Sequence, residues 1–427
     1  MNILKDIPEL VKADIISEET AEKIRGYYQG KSGQSTNRLF IVFGVLGAIL
    51  VGLGVILIIA HNWDEISRTT KTLLAFIPLL AGQILCGFTI IKRPDSEAWR
   101  ESGAAFLFFA IGASISLVGQ IYNIPGNLSS FLLVWMLLCL PLVYVMKSSI
   151  TSLLFLIGIT YYAVETSYWT YDSSDSHFYW FLLLTILPHY YLLYKKNPHS
   201  NFMIFHNWLI PISVIITLGT ISKSSDELMF VAYFSLFGFF HLLGELDFFT
   251  RQRPRNNGYN VLGFLGTIVL LLTLSFDWFW EELRRTDLIF NEIITAPEFY
   301  TSIIISILAS GMLTLHLKNK LMKDLKPIAP VFVLFILTFI IGLTSSLSVI
   351  LINILVFTIG IFTIRDGAKQ DNLGVLNYGL LIITALVICR FFDTDLSFVI
   401  RGGLFVTVGI GFFATNFWML KKRKIND

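Results

Sequence analysis

The sequence predicts an all-α fold, a polytopic transmembrane helical bundle of about fourteen spans, with a short cytoplasmic helical segment ahead of it. Three observations carry this expectation. Of the 427 residues, 55% are hydrophobic and 15% charged, and mean hydropathy is +0.69, which leaves too little polar surface for a soluble chain of this length. The apolar residues gather into repeated runs, many close to the ~20 residues with which a helix spans ~30 Å of hydrocarbon. The loops between them alternate in charge. With the N-terminus inside, the inward tails and loops hold 25 of the 32 Lys/Arg but 15 of the 30 Asp/Glu, leaving 7 basic and 15 acidic residues elsewhere, the sign of the positive-inside rule.

Residues 1–38 read as a cytoplasmic helical hairpin. In "IPELVKADIISEETAEKIRGYYQG", Leu10, Val11, Ile15 and Ile16 mark one apolar face, and Ser17 stands where it can cap a second helix that begins with Glu18 and Glu19. Gly30 and "KSGQSTN" end that pattern. Residues 39–146 form a first transmembrane block, with runs at 39–60, 70–91, 103–121 and 131–146. Residues 147–419 carry the further spans: 149–166, 178–194, 203–220, 228–244, 259–276, 299–317, 327–343, 347–364, 374–391 and 399–419. Some runs are short, and the turns at 147–148 and 344–346 leave almost no loop, so the count falls to about twelve or thirteen if a run is re-entrant. Residues 420–427 are a basic cytoplasmic tail. "LFIVFGVLGAILVGLGVILIIA" has none of the alternation of a membrane β-strand, and it is long enough to stay in the bilayer rather than serve as a cleaved leader. Within it Gly44, Ala48 and Gly52 make a smooth strip for a neighbouring helix.

"GVLGAILVGLGVILIIAHNWDEI", the amphipathic segment before it and "GASISLVGQIYNIPGNLSSFLLVWMLLCLPLVY" resemble the DUF2157 family of predicted bacterial multi-pass membrane proteins. The resemblance covers about residues 8–146, and "RFFDTDLSFVIRGGLFVTVGIGFFATN" is similar to the C-terminal part of longer members. His61 departs from the small residues common at its position. The resemblance implies a bacterial inner-membrane protein, and the balance of loop charge predicts that both termini are cytoplasmic. It carries over no catalytic residue, because the family has no assigned activity.

The polar residues of interest fall into three groups. His61, Asn62 and Asp64 crowd the turn after the first run, where Asn62 and Asp64 can cap helix ends and Trp63 suits the membrane interface, with ligand contact the alternative. Gln120, Tyr122 and Asn123 lie towards the same side, as do Arg390, Asp393, Asp395 and Arg401, in which the two arginines can pair with the two aspartates. Inside the spans stand Gln83, Glu165, His189, His241, Asn353, Asn377 and Asn416. Gln83 and Asn353 are expected to make interior bonds, and Glu165 and His189 to snorkel from helix ends. Pro78, Pro141 and Pro211 can kink their helices.

No H-E-x-x-H, G-x-S-x-G, phosphate loop or dinucleotide fingerprint occurs, so no catalytic residue, cofactor or metal is expected. Cys86, Cys139 and Cys389 are scattered in apolar runs and read as small hydrophobes. The net charge of +2 is spread over loops facing anionic lipid and is not a nucleic-acid signal. Three classes stay open: a transporter or translocator of a small or lipid-like substrate, a scaffold recruiting a protein partner through residues 1–38, and an intramembrane enzyme acting on a lipid-linked substrate.

Overall fold

In a computed structural model the chain is helical, with no strand among the described residues. These are residues 3–26 except 14, residues 63–391 except 170–173, 224, 251–252, 286–289 and 320–325, and parts of 397–417. The run at 39–60 with its small-residue strip, His61, Asn62, Asp393, Asp395, Arg401 and Asn416 lie outside them, as does much of the run at 399–419. The chain divides into two compact units, Met1–Ile77 with Gln120–Asn123, and Pro78–Gly119 with Ile124–Asp427.

In the first unit, α1 (Ile3–Lys12) and α2 (18–26) follow from their apolar spacing, and Ile7 and Ala21 are buried. The Ser17 hydroxyl accepts from the Thr20 amide at 3.3 Å and so caps α2. A 3-10 turn at Trp63–Glu65 precedes α3 (Arg68–Lys92).

In the second unit, the helices that follow are α4 (Glu97–Ile121), α5 (Leu128–Val145), α6 (Ser149–Ser167), α7 (Phe178–Lys196), α8 (Asn201–Leu218) and α9 (Asp226–Gly244). After the short α10 (Asp247–Thr250) come α11 (Gly258–Thr273), α12 (Trp278–Arg285), α13 (Phe290–Thr295), α14 (Pro297–Asn319), α15 (Val331–Gly342), α16 (Leu347–Lys369) and α17 (Leu373–Phe391). Pro78, Pro141 and Pro211 sit inside helices that continue past them.

Large apolar side chains such as Ile84, Ile307 and Leu337 point outward, as a surface facing hydrocarbon requires. The protein is a multi-pass membrane bundle. The expected count of about fourteen is not reached among the described residues, which leave out the run at 39–60 and much of that at 399–419. Among the described residues, 9 helices are long and apolar enough to cross, or 10 if α11 and α12 make one span bent by 75°. Two further expected runs, 178–194 and 327–343, hold described helices that fall short for physical reasons. Helix α15 has only 12 residues, and the Tyr, Trp, His and Lys residues of "FYWFLLLTILPHYYLLYKK" dilute the apolar character of α7.

Two buried clusters hold the second unit together, one around Met136, Phe155 and Tyr179 and the other around Phe234, Trp280 and Phe335. In the second, the Phe234 and Phe335 rings stack at 3.8 Å and join α9 to α15, and the Trp280 indole donates to the Leu274 carbonyl at 2.8 Å, which ties α12 to the end of α11. Helix α9 approaches α11 so closely that a Cβ on Gly263 would lie 2.5 Å from the His241 amide nitrogen. That approach places the polar residues of α9 and α11 side by side.

Candidate functional site

The residues singled out in the sequence do not form one described site. Asp64 is exposed in the 3-10 turn, and the cap of α3 is Ser67, whose hydroxyl accepts from the Thr70 amide at 3.3 Å. At the head of α3 the cap is thus the adjoining serine, and Asp64 stands in the 3-10 turn ahead of it. Gln120 and Asn123 are exposed, and Asn123 takes the left-handed conformation (φ 50°) that ends α4. Tyr122 belongs to a small cluster in which the Arg68 guanidinium lies over its ring at 4.9 Å and also donates to the Ile121 carbonyl at 3.2 Å.

Gln83 is exposed on α3 and makes no interior bond, because its side chain falls on the outward face of the helix. Asn353 does make interior bonds, donating to the Ser275 carbonyl at 3.0 Å and the Val349 carbonyl at 2.7 Å. Arg390 reaches the same end, with its guanidinium donating to the Ser275 hydroxyl at 3.2 Å and lying over Phe276 at 4.8 Å. His189 is buried rather than snorkelling. Glu165 is half-buried, and Asn377 is exposed.

Sequence reasoning missed the most constrained polar group, Glu101. This carboxylate, 6% exposed, accepts from the Ser149 and Ile150 amides at 2.8 Å each and from the Ser148 hydroxyl at 2.5 Å. The Thr151 amide turns to the Ser148 hydroxyl at 3.1 Å, and the Ser148 amide to the Val143 carbonyl. All the amides that open α6 are therefore satisfied, two of them by a charge supplied from α4. The network continues into α7 and α8. The Ser149 hydroxyl meets His189 Nε2 at 3.3 Å, the Ser152 hydroxyl meets His206 Nε2 at 3.0 Å, and the two imidazoles lie 5.9 Å apart. Each ring is held by a serine, and no group of three metal-capable side chains exists among the described residues. This cluster locks the start of α6 to α4, α7 and α8.

A different arrangement opens on the surface of the bundle. Along α14, Ser302, Ser306, Ser310 and Thr314 recur every fourth residue, and all four line a groove of about 670 Å³ between α9, α14 and α15. Its walls include Val231 from α9, Ile307 from α14, and Phe339 and Ile340 from α15. Two hydroxyls fasten the floor to α9: Ser302 donates to the Leu228 carbonyl at 2.9 Å, and Ser306 bonds Ser235 at 2.7 Å. At the head of α14, the fully buried Glu298 accepts from the Lys223 and Ser225 amides, so a second carboxylate from one helix closes the start of another. Beside Ser310, a Cβ on Gly311 would meet nothing within 4 Å, so the groove is open there.

Residues 8–152 match the family described as "Predicted membrane protein (DUF2157)". The match covers about the first third of the chain. No curated protein and no solved structure matches the chain. The matched residues contain Glu101 and the opening turn of α6 that it holds. His189, His206 and the groove lie beyond the DUF2157 match.

Proposed function

We propose that the protein is a translocator of a lipid-like substrate, a hydrocarbon chain with a small polar head, and that the groove between α9, α14 and α15 is its path. One observation carries this reading: the groove joins apolar walls to a hydroxyl at each turn of α14. From Ser302 to Thr314 the helix rises by about 18 Å, more than half of a ~30 Å hydrocarbon core. Lipid tails are as apolar as leucine, so the walls by themselves give a substrate chain no advantage over the bilayer. The hydroxyls do. A polar head stranded in hydrocarbon costs on the order of several kcal/mol, and oxygens spaced by about one turn relieve part of that cost along the way. The reading takes the fourteen-span topology with both termini cytoplasmic, supported by the charge asymmetry of the loops.

The test uses the full chain in vesicles with a trace of fluorescent phospholipid, bleached by a reductant that cannot cross the membrane. Wild-type protein is expected to expose the inner-leaflet label as well as the outer. Gly311→Trp, which fills open space in the groove, should remove most of that exchange, and Gly311→Ala should retain it. Wild-type vesicles that lose only the outer label, as protein-free vesicles do, would refute the proposal.

A further inference from the structure

We infer that a second cavity, enclosed by α11, α16, α17 and the turn leading into α15, is a binding site for an organic ammonium group. It measures about 410 Å³, within the range of small-molecule sites, and it is separate from the groove, so the inference stands whether or not the groove conducts. Thr363, Asp366 and Gln370 line it from α16, Phe264 from α11, Tyr378 from α17 and Lys326 from the turn.

The charges choose the ligand. Lys326 is already neutralised, because its ammonium sits 2.6 Å from Glu245 Oε1, an oxygen that also accepts from the Asn260 amide at 3.0 Å. Asp366 has no ion pair among the described residues, and its cationic neighbours on α16, Arg365 and Lys369, are exposed and do not line the cavity. The cavity is left with an uncompensated carboxylate, so it attracts a cation. A divalent ion is poorly matched, because Asp366 is the one carboxylate among the described residues that line the cavity. An ammonium on carbon fits better. The Phe264 and Tyr378 rings stand 5.2 Å apart at 48°, and two tilted aromatic faces beside a carboxylate are the surroundings in which alkylated ammonium groups are held by the ring quadrupoles. The floor that presents these groups is rigid, since a Cβ on Gly379 of α17 would lie 2.6 Å from the Ile364 amide nitrogen of α16.

Such a group comes either from a soluble compound or from a lipid headgroup, and titration calorimetry on the delipidated full chain in detergent separates the two. Choline chloride is one probe and dihexanoyl phosphatidylcholine the other, with sodium chloride as the blank. Saturable binding of either probe is expected. Asp366→Asn should weaken it about tenfold or more, Tyr378→Leu about 2- to 30-fold, and Tyr378→Phe, which keeps the ring, hardly at all. Lys326→Met should leave binding intact or tighten it, because it removes a cation from the cavity lining; loss of binding there would mark an anion site and overturn the inference. Tighter binding of the lipid assigns a headgroup ligand, and binding of choline at least as tight assigns a soluble one. Folded wild type that binds neither probe, or Asp366→Asn that elutes as wild type and binds equally well, also overturns it.

Discussion

Removing the Glu101 carboxylate should unlatch the start of α6. In Glu101→Ala the Ser149 and Ile150 amides, each bonded at 2.8 Å, lose their acceptors, while the Thr151 amide keeps the Ser148 hydroxyl. A stranded buried donor costs about 1–3 kcal/mol, so the two together amount to roughly 2–6 kcal/mol. Glu101→Gln keeps one acceptor oxygen but turns an NH₂ towards a donor and removes the charge at the helix N-terminus, so its cost should be smaller, about 1–3 kcal/mol. The assay is equilibrium unfolding of purified protein in mixed micelles with increasing denaturing detergent, combined in a double-mutant cycle with Ser148→Ala. Because Ser148 donates to the same carboxylate at 2.5 Å, the cycle should report coupling of about 0.5–3 kcal/mol. A Glu101→Ala protein within about 0.5 kcal/mol of wild type, or a cycle that is additive, would show that water satisfies these amides and that the lock contributes nothing.

Two further outcomes follow from the same geometry and from the loop charges. Ser67→Ala should lose about 0.5–2 kcal/mol through the missing cap on the Thr70 amide, whereas Asp64→Ala, exposed in the preceding turn, should stay within about 0.5 kcal/mol of wild type. Denaturant midpoints in the reverse order would restore Asp64 as the cap. Reporter fusions after residues 171, 252 and 424 should read outside, inside and inside, and an external C-terminus would refute an even span count with the N-terminus inside.

The helices were legible because hydropathy is local. Each apolar run expected between residues 70 and 391 coincides with a helix to within a few residues. Whether a helix can cross was less legible, since that depends on where apolar character stops: α15 closes after 12 residues and α11 bends into α12. The polar interior was hardest to read. Glu101 stands in "EAWRES", which looks like the solvated start of a helix, and its partners lie 47 to 49 residues on. The one signal nearby was Ser148, a natural cap at the head of α6, but a cap states which amides it satisfies and not who takes the others. Gln83 failed in the opposite sense, because an amide in an apolar run shows no facing direction until the helix is packed.

The two carboxylate latches run in opposite directions along the chain, and this sets a schedule for assembly. Glu101 is made before the amides it will hold, so α4 can offer its acceptor as α6 emerges. Glu298 is made after its amides, 75 residues behind Lys223. At a synthesis rate of about 5–20 residues per second, the start of α9 waits roughly 4–15 s for its acceptor. During that interval the head of α9 must be held by water, by lipid headgroups or by an insertion factor. A ribosome stalled between α9 and α14 would leave the head of α9 unlatched, whereas one stalled after α6 would leave the first latch already closed.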